Sequence, residues 1–81
     1  MTEEEEILAN INTQVASENG MPLLMDDMFM DSELDSLGVS MVLLMLSAEY
    51  DIDEKLVETL DQFKLSVKDL VNTCKSSRTS T

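Results

Sequence analysis

Between Leu37 and Leu46 only Gly38 and Ser40 interrupt a run of large apolar side chains. Such a run must be covered on more than one side, by the rest of the chain or by a partner. Its unbroken part, Met41 to Leu46, is far too short for a bilayer, which takes about 20 residues. No strand-like alternation of useful length occurs in the chain. The run therefore predicts a helix from about Ser36 to Tyr50, broken by Asp51-Ile52-Asp53, with Gly38 early enough to cost little.

Two faces follow from helical spacing. With Val39, Val42, Leu43, Leu46 and Tyr50 buried, Leu37, Met41, Leu44, Met45 and Ala48 fall on or near the opposite side. Either the helix is covered all round, or that second face docks a partner through its adaptable methionines. The expected partner-binding set is Leu37, Met41, Leu44 and Met45, with Glu33, Asp35, Glu49 and Asp51 giving electrostatic guidance.

The remaining helices are read the same way. Thr2 to Ser17 carries Ile7, Leu8, Ile11 and Val15 on one face, with Thr2 and Glu5 at capping-box spacing. Asn19-Gly20 and Pro22 end it. Residues 20–35 form a long connection in which Leu23, Leu24, Met28, Phe29 and Leu34 are expected to pack down. A short third helix is expected around Lys55 to Leu60, with Leu56, Val57 and Leu60 facing in. The last starts at Ser66, capped toward Asp69, and buries Val67, Leu70, Val71 and Cys74. The expected architecture is all-α, three main helices plus one short one, over residues 1–75, with 76–81 a disordered polar tail.

Charge and chemistry narrow the function. Seventeen acidic against 5 basic residues give a net charge of −12, which repels nucleic acid and anionic membranes and attracts basic protein surfaces. With no histidine the commonest acid–base group is missing, so the chain is not expected to be an enzyme. A lone cysteine rules out an internal disulfide and fits a reducing compartment. Glu3 to Glu6 is the opposite of a basic leader, and the expectation is a cytoplasmic monomer without membrane insertion. Asp31, Glu33 and Asp35 alternate as in a calcium loop, but Ser36 and Val42 stand where that loop needs glycine and glutamate. No metal site is expected. Cys74 lies on a buried stripe and reads as a core thiol.

That leaves Ser36. It sits between an acidic, helix-poor stretch, Asp26 to Asp35, and the apolar helix. Its hydroxyl is expected at a helix N-terminus, exposed, with the positive end of the helix beneath it; taken alone, a serine so placed is most often just an N-cap. An anionic group attached there would gain about 0.3–1 kcal/mol from the free N–H groups. No histidine or lysine lies near it in sequence, so Ser36 is expected to be another enzyme's substrate rather than a nucleophile in its own right.

Phe29-Met30-Asp31-Ser32-Glu33-Leu34-Asp35-Ser36-Leu37, followed by Val42 to Ile52, resembles the acyl carrier protein superfamily: a loop aromatic, Leu-Asp-Ser-Leu, then a leucine-rich helix ending in aromatic-Asp-Ile. Ser66-Val67-Lys68-Asp69-Leu70-Val71 resembles the start of that family's last helix. The resemblance runs from Thr2 to about Cys74. It implies an acyl-carrier-like four-helix bundle and a 4′-phosphopantetheine group on Ser36, installed from coenzyme A by a phosphopantetheinyl transferase. Asp35 would help the transferase and its metal engage the site. The arm's thiol would hold an acyl group, of fatty-acid or polyketide kind, as a thioester for loading and synthase or transferase enzymes. An aminoacyl, D-alanyl or peptidyl cargo is the alternative, and an unmodified helical adaptor is a third reading. Three departures suit a specialised carrier. The family's acidic second-helix surface is here Gly38, Met41, Leu44 and Ser47; Ser32-Glu33 replaces its usual glycine; and Asp53-Glu54-Lys55 replaces an Ile-Pro pair.

Overall fold

A computed structural model describes residues 2–53, 55 and 64–79. Among them the chain is all-helical, with no strand: α1 (Glu3–Ser17), a 3-10 turn (Phe29–Ser32), α2 (Ser36–Tyr50) and α3 (Val67–Thr79). The three α-helices pack pairwise against one another. The short helix expected around Lys55 to Leu60, with Leu56, Val57 and Leu60, lies outside the described residues apart from Lys55, whose N–H donates to Asp53 Oδ1 at 2.9 Å. No described helix is long and apolar enough to cross a membrane.

The periodic stripes are the core. Ile7, Ile11 and Val15 of α1 meet Val39, Val42, Leu43, Leu46 and Tyr50 of α2 and Val67, Leu70, Val71 and Cys74 of α3, all buried. Leu8 is partly buried against them. The Asn10 side chain donates to the Tyr50 hydroxyl at 2.6 Å, tying α1 to the end of α2. Lys75 bonds Glu4 at 2.9 Å across α3 and α1; this pair holds the Glu4 carboxyl below its usual range and the Lys75 ammonium above its own.

Caps set the helix ends. Thr2 Oγ1 accepts the Glu5 N–H at 3.2 Å, and four glutamates in the first turn of α1 complement its dipole. At the other end the Gly20 N–H reaches Val15 O (2.9 Å) and the Asn19 N–H reaches Ala16 O (3.0 Å), the paired bonds of a Schellman motif. The left-handed residue there is Asn19, at φ 64°, while Gly20 serves closeness. A Cβ on Gly20 would lie 2.6 Å from Val15 Cγ1 and 2.7 Å from Leu34 Cδ2. In α3, Ser66 Oγ accepts the Asp69 N–H at 3.0 Å. That helix continues to Thr79, past residue 76 where a polar tail is expected.

The long connection is held from both sides. Asn12 accepts the Leu23 N–H at 2.7 Å and donates to Leu23 O at 2.9 Å, so one side chain replaces a full backbone pairing. Further on, the Phe29 N–H donates to Leu65 O and the Val67 N–H to Asp27 O, both at 2.9 Å, stitching the loop to the start of α3. Leu23 and Phe29 are buried, and Leu34 is partly buried against the core. Leu24 does not pack down as expected; it is 71% exposed. Its N–H bonds Asp27 Oδ2 and its carbonyl accepts the Asp27 N–H, and this tight turn leaves its side chain on the surface.

Candidate functional site

The site is built at the junction of the 3-10 turn and α2. The turn ends at Glu33, which takes left-handed backbone, φ 60° and ψ 23°. Extended Asp35 (φ −74°, ψ 175°) then leads into the helix. Asp35 is the N-cap: its Oδ1 accepts the Gly38 N–H at 2.7 Å, and its carbonyl accepts the Val39 N–H at 2.9 Å. The cap is therefore not Ser36, although a serine before an apolar run, taken alone, most often serves as one. Both residue types cap well, and it is the extended backbone of Asp35, leading out of the left-handed Glu33, that puts Asp35 rather than Ser36 at the cap position. Ser36 is instead the first helical residue, exposed, with its hydroxyl outside the capping bond.

The expected cushion of free N–H groups is correspondingly smaller. Asp35 takes the Gly38 donor, leaving Ser36 and Leu37 as the first-turn N–H groups outside the helix's own ladder. A phosphodiester on Ser36 would therefore draw on two first-turn N–H groups rather than three. An exposed hydroxyl with no capping duty fits such a group.

Along α2 both faces stand as the spacing places them. Leu37 is 70% exposed, Met41 38%, Leu44 59% and Met45 45%, while the opposite stripe is buried. Gly38, grouped with the outward surface on sequence, is buried instead: a Cβ there would lie 3.3 Å from Leu34 Cβ and 3.2 Å from Asp35 Oδ1. Glu33 and Asp35 are exposed at the start of α2, Glu49 and Asp51 at its end. Between Ser36 and Ala48 there is no charged residue.

Cys74 is fully buried; burial, with Glu49 adding charge, pushes its thiol up to about 11, so it is not a nucleophile near neutral pH. Among the described residues no group of three or more His, Cys, Asp or Glu side chains could hold a metal ion. A groove of about 280 Å³ lies between α1 and α3, with Met25 and Val71 in its wall; no residue of α2 lines it. Ser32 is the feature that sequence reasoning missed: its side chain is buried, and among the described residues Oγ has no hydrogen-bond partner. A serine among alternating acids gives no sign of burial.

Comparison with protein-family models, curated proteins and solved structures gives no match for this chain.

Proposed function

We propose that this chain is a carrier protein, not itself an enzyme, that bears 4′-phosphopantetheine on Ser36. A phosphopantetheinyl transferase would join the Ser36 oxygen to the pantetheine-bearing phosphorus of coenzyme A. The pyrophosphate bond breaks, 3′,5′-adenosine bisphosphate leaves, and the serine proton goes to a base of the transferase. When bound, the arm supplies a terminal thiol that holds an acyl group as a thioester. Asp35 caps α2 and presents a carboxylate beside the reacting oxygen, where the transferase's metal could use it. Leu37, Met41, Leu44 and Met45 form the side that loading and synthase enzymes meet, and an acyl-carrier-like four-helix bundle is the architecture that this reading calls for. The cytoplasm is the compartment that suits these partners.

One observation carries this reading. The hydroxyl in the Leu-Asp-Ser-Leu segment is exposed on the first turn of α2 while its neighbour does the capping. A serine kept only as a cap would be engaged in that bond.

The test is intact-mass measurement after incubation with coenzyme A, magnesium and a broad-specificity transferase. A gain of one phosphopantetheine, absent in Ser36→Ala, is expected. No gain with several transferases favours the unmodified adaptor, which would use the same apolar face.

A further inference from the structure

Methionine is among the residue types most often buried in folded chains, yet here it is kept out of the interior. Among the described residues sixteen buried hydrophobic side chains make up the core, and not one is a methionine. Six of the seven methionines are described. Met21 is 53% exposed, Met30 52%, Met41 38% and Met45 45%, while Met25 and Met28 are half-buried.

The four exposed ones lie on adjoining parts of the chain. Met41 and Met45 are four residues apart on α2, and so share a face. Met30 belongs to the 3-10 turn that leads to α2. The Met21 N–H donates to Ser32 O at 2.8 Å, which brings Met21 to the end of the same turn. The other sulfur is shut away: Cys74 is fully buried, and its thiol, raised to about 11, stays protonated near neutral pH.

We propose that Met21, Met30, Met41 and Met45 are a reversible oxidation site for peroxides, placed so that the surface changes and the fold does not. The thioether sulfur attacks a peroxide oxygen; an S–O bond forms and the O–O bond breaks. With hydrogen peroxide, the proton left on the transferred oxygen goes to the departing hydroxide, which leaves as water. Sulfur loses two electrons and the peroxide gains them. The sulfoxide is polar where the thioether was apolar. A sulfoxide reductase reverses the step: two thiols give up their protons and two electrons, the oxygen leaves as water, and a disulfide forms on the reductase. A core methionine would couple this chemistry to unfolding, but Ile7, Ile11, Leu46 and Leu70 hold the interior with nothing a peroxide oxidises. The inference deepens the carrier reading by giving the outward face of α2 a chemical control, and only that consequence rests on the carrier reading.

The test exposes the full-length chain to dilute hydrogen peroxide and follows it by peptide mapping, urea unfolding and retention on a phenyl resin. Met21, Met30, Met41 and Met45 are expected to gain one oxygen each ahead of Met25 and Met28. The urea midpoint should then fall by less than about 0.5 M, while retention on the resin drops. Two sulfoxide reductases, one for each epimer, should return mass and retention to the parental values. In the Met41→Leu/Met45→Leu double variant, peroxide should remove at most about half of the retention it removes from the parent, because leucine is apolar and has no sulfur to oxidise. Six methionines oxidised at one rate, a midpoint lowered by more than that amount, sulfoxides that both reductases leave in place, or a double variant as sensitive as the parent would each overturn the proposal. None of these readouts uses the arm, so an unmodified Ser36 leaves this inference standing, and its failure leaves the mass test of Ser36 untouched.

Discussion

The Asp35 carboxylate accepts the Gly38 N–H at 2.7 Å, reaching past Ser36 without engaging it. The bond separates two duties at one corner, since the acid holds the helix end and the neighbouring alcohol stays available. It also makes the duties separable by substitution.

Asp35→Asn keeps a side-chain acceptor for Gly38 and should unfold within a few tenths of a kcal/mol of the parent, whereas Asp35→Ala should lose about 1 kcal/mol. Denaturant midpoints measure both. If the carboxylate also serves the transferase's metal, both variants are modified slowly despite their different stabilities. Modification of Asp35→Asn at the parental rate would reduce Asp35 to a cap.

Glu33 sits at φ 60° and ψ 23°, a conformation that costs a residue with a Cβ about 1–2 kcal/mol. Glycine there removes that cost but adds about 0.4–1 kcal/mol of unfolded-chain entropy. Glu33→Gly should therefore stabilise by about 0.5–1 kcal/mol, and Glu33→Val should destabilise, because a β-branched side chain tolerates this region worst. Thermal melts of the two variants should shift in opposite directions; a shift in the same direction would show that strain at this turn is not what they report.

The helical stripes were legible because period and burial are the same information. Ile7, Ile11 and Val15 recur at four, and all three are buried. The same holds for Val67, Leu70, Val71 and Cys74, and for both faces of α2. What spacing does not encode is how the chain turns between helices. Leu24 looks like its neighbour Leu23, but the Asp27 turn sends one outward while Asn12 draws the other in. Gly20 looks like the left-handed stop of α1; Asn19 takes that conformation, and Gly20 makes room for Val15 and Leu34. At the site, the exposure of Ser36 followed from its place before an apolar run. The cap did not, because Asp35 and Ser36 are both good N-caps and loop geometry chooses between them.

Asn12 should matter more to stability than its half-buried polar side chain suggests. It satisfies both the N–H and the carbonyl of Leu23, a buried residue of the long connection. Asn12→Ala leaves both groups without that partner and should cost about 1–3 kcal/mol in denaturant unfolding. Asn12→Asp keeps the acceptor but turns a carboxylate toward Leu23 O, so it should recover only part of the loss. Full recovery would mean that the bond to the carbonyl contributes nothing.

Met41→Glu and Leu44→Glu place charge on the open face of α2, where neither side chain is needed by the core. Each should unfold within about 0.5 kcal/mol of the parent, as surface substitutions do. Turnover by a loading or synthase partner should fall for both, while helical circular dichroism is unchanged. Loss of the fold in either variant would place that side chain in the core and reverse the facing of α2.

Cys74 should make stability fall in alkaline solution. Burial raises its thiol from 9.0 to about 11 in the folded chain, so the unfolded chain loses this proton first. Below about pH 9 the contribution is fully present; from there to about pH 11 the unfolded state binds fewer protons, and stability drops as pH rises. The useful quantity is the difference between the parent and Cys74→Ala. That variant carries a constant penalty for the lost sulfur but not the thiol's slope. The gap between the two denaturant midpoints should narrow steadily from about pH 9 upward. Parallel curves would mean that the thiol ionises alike in both states, and that Cys74 is less shielded than its place on the buried stripe of α3 requires.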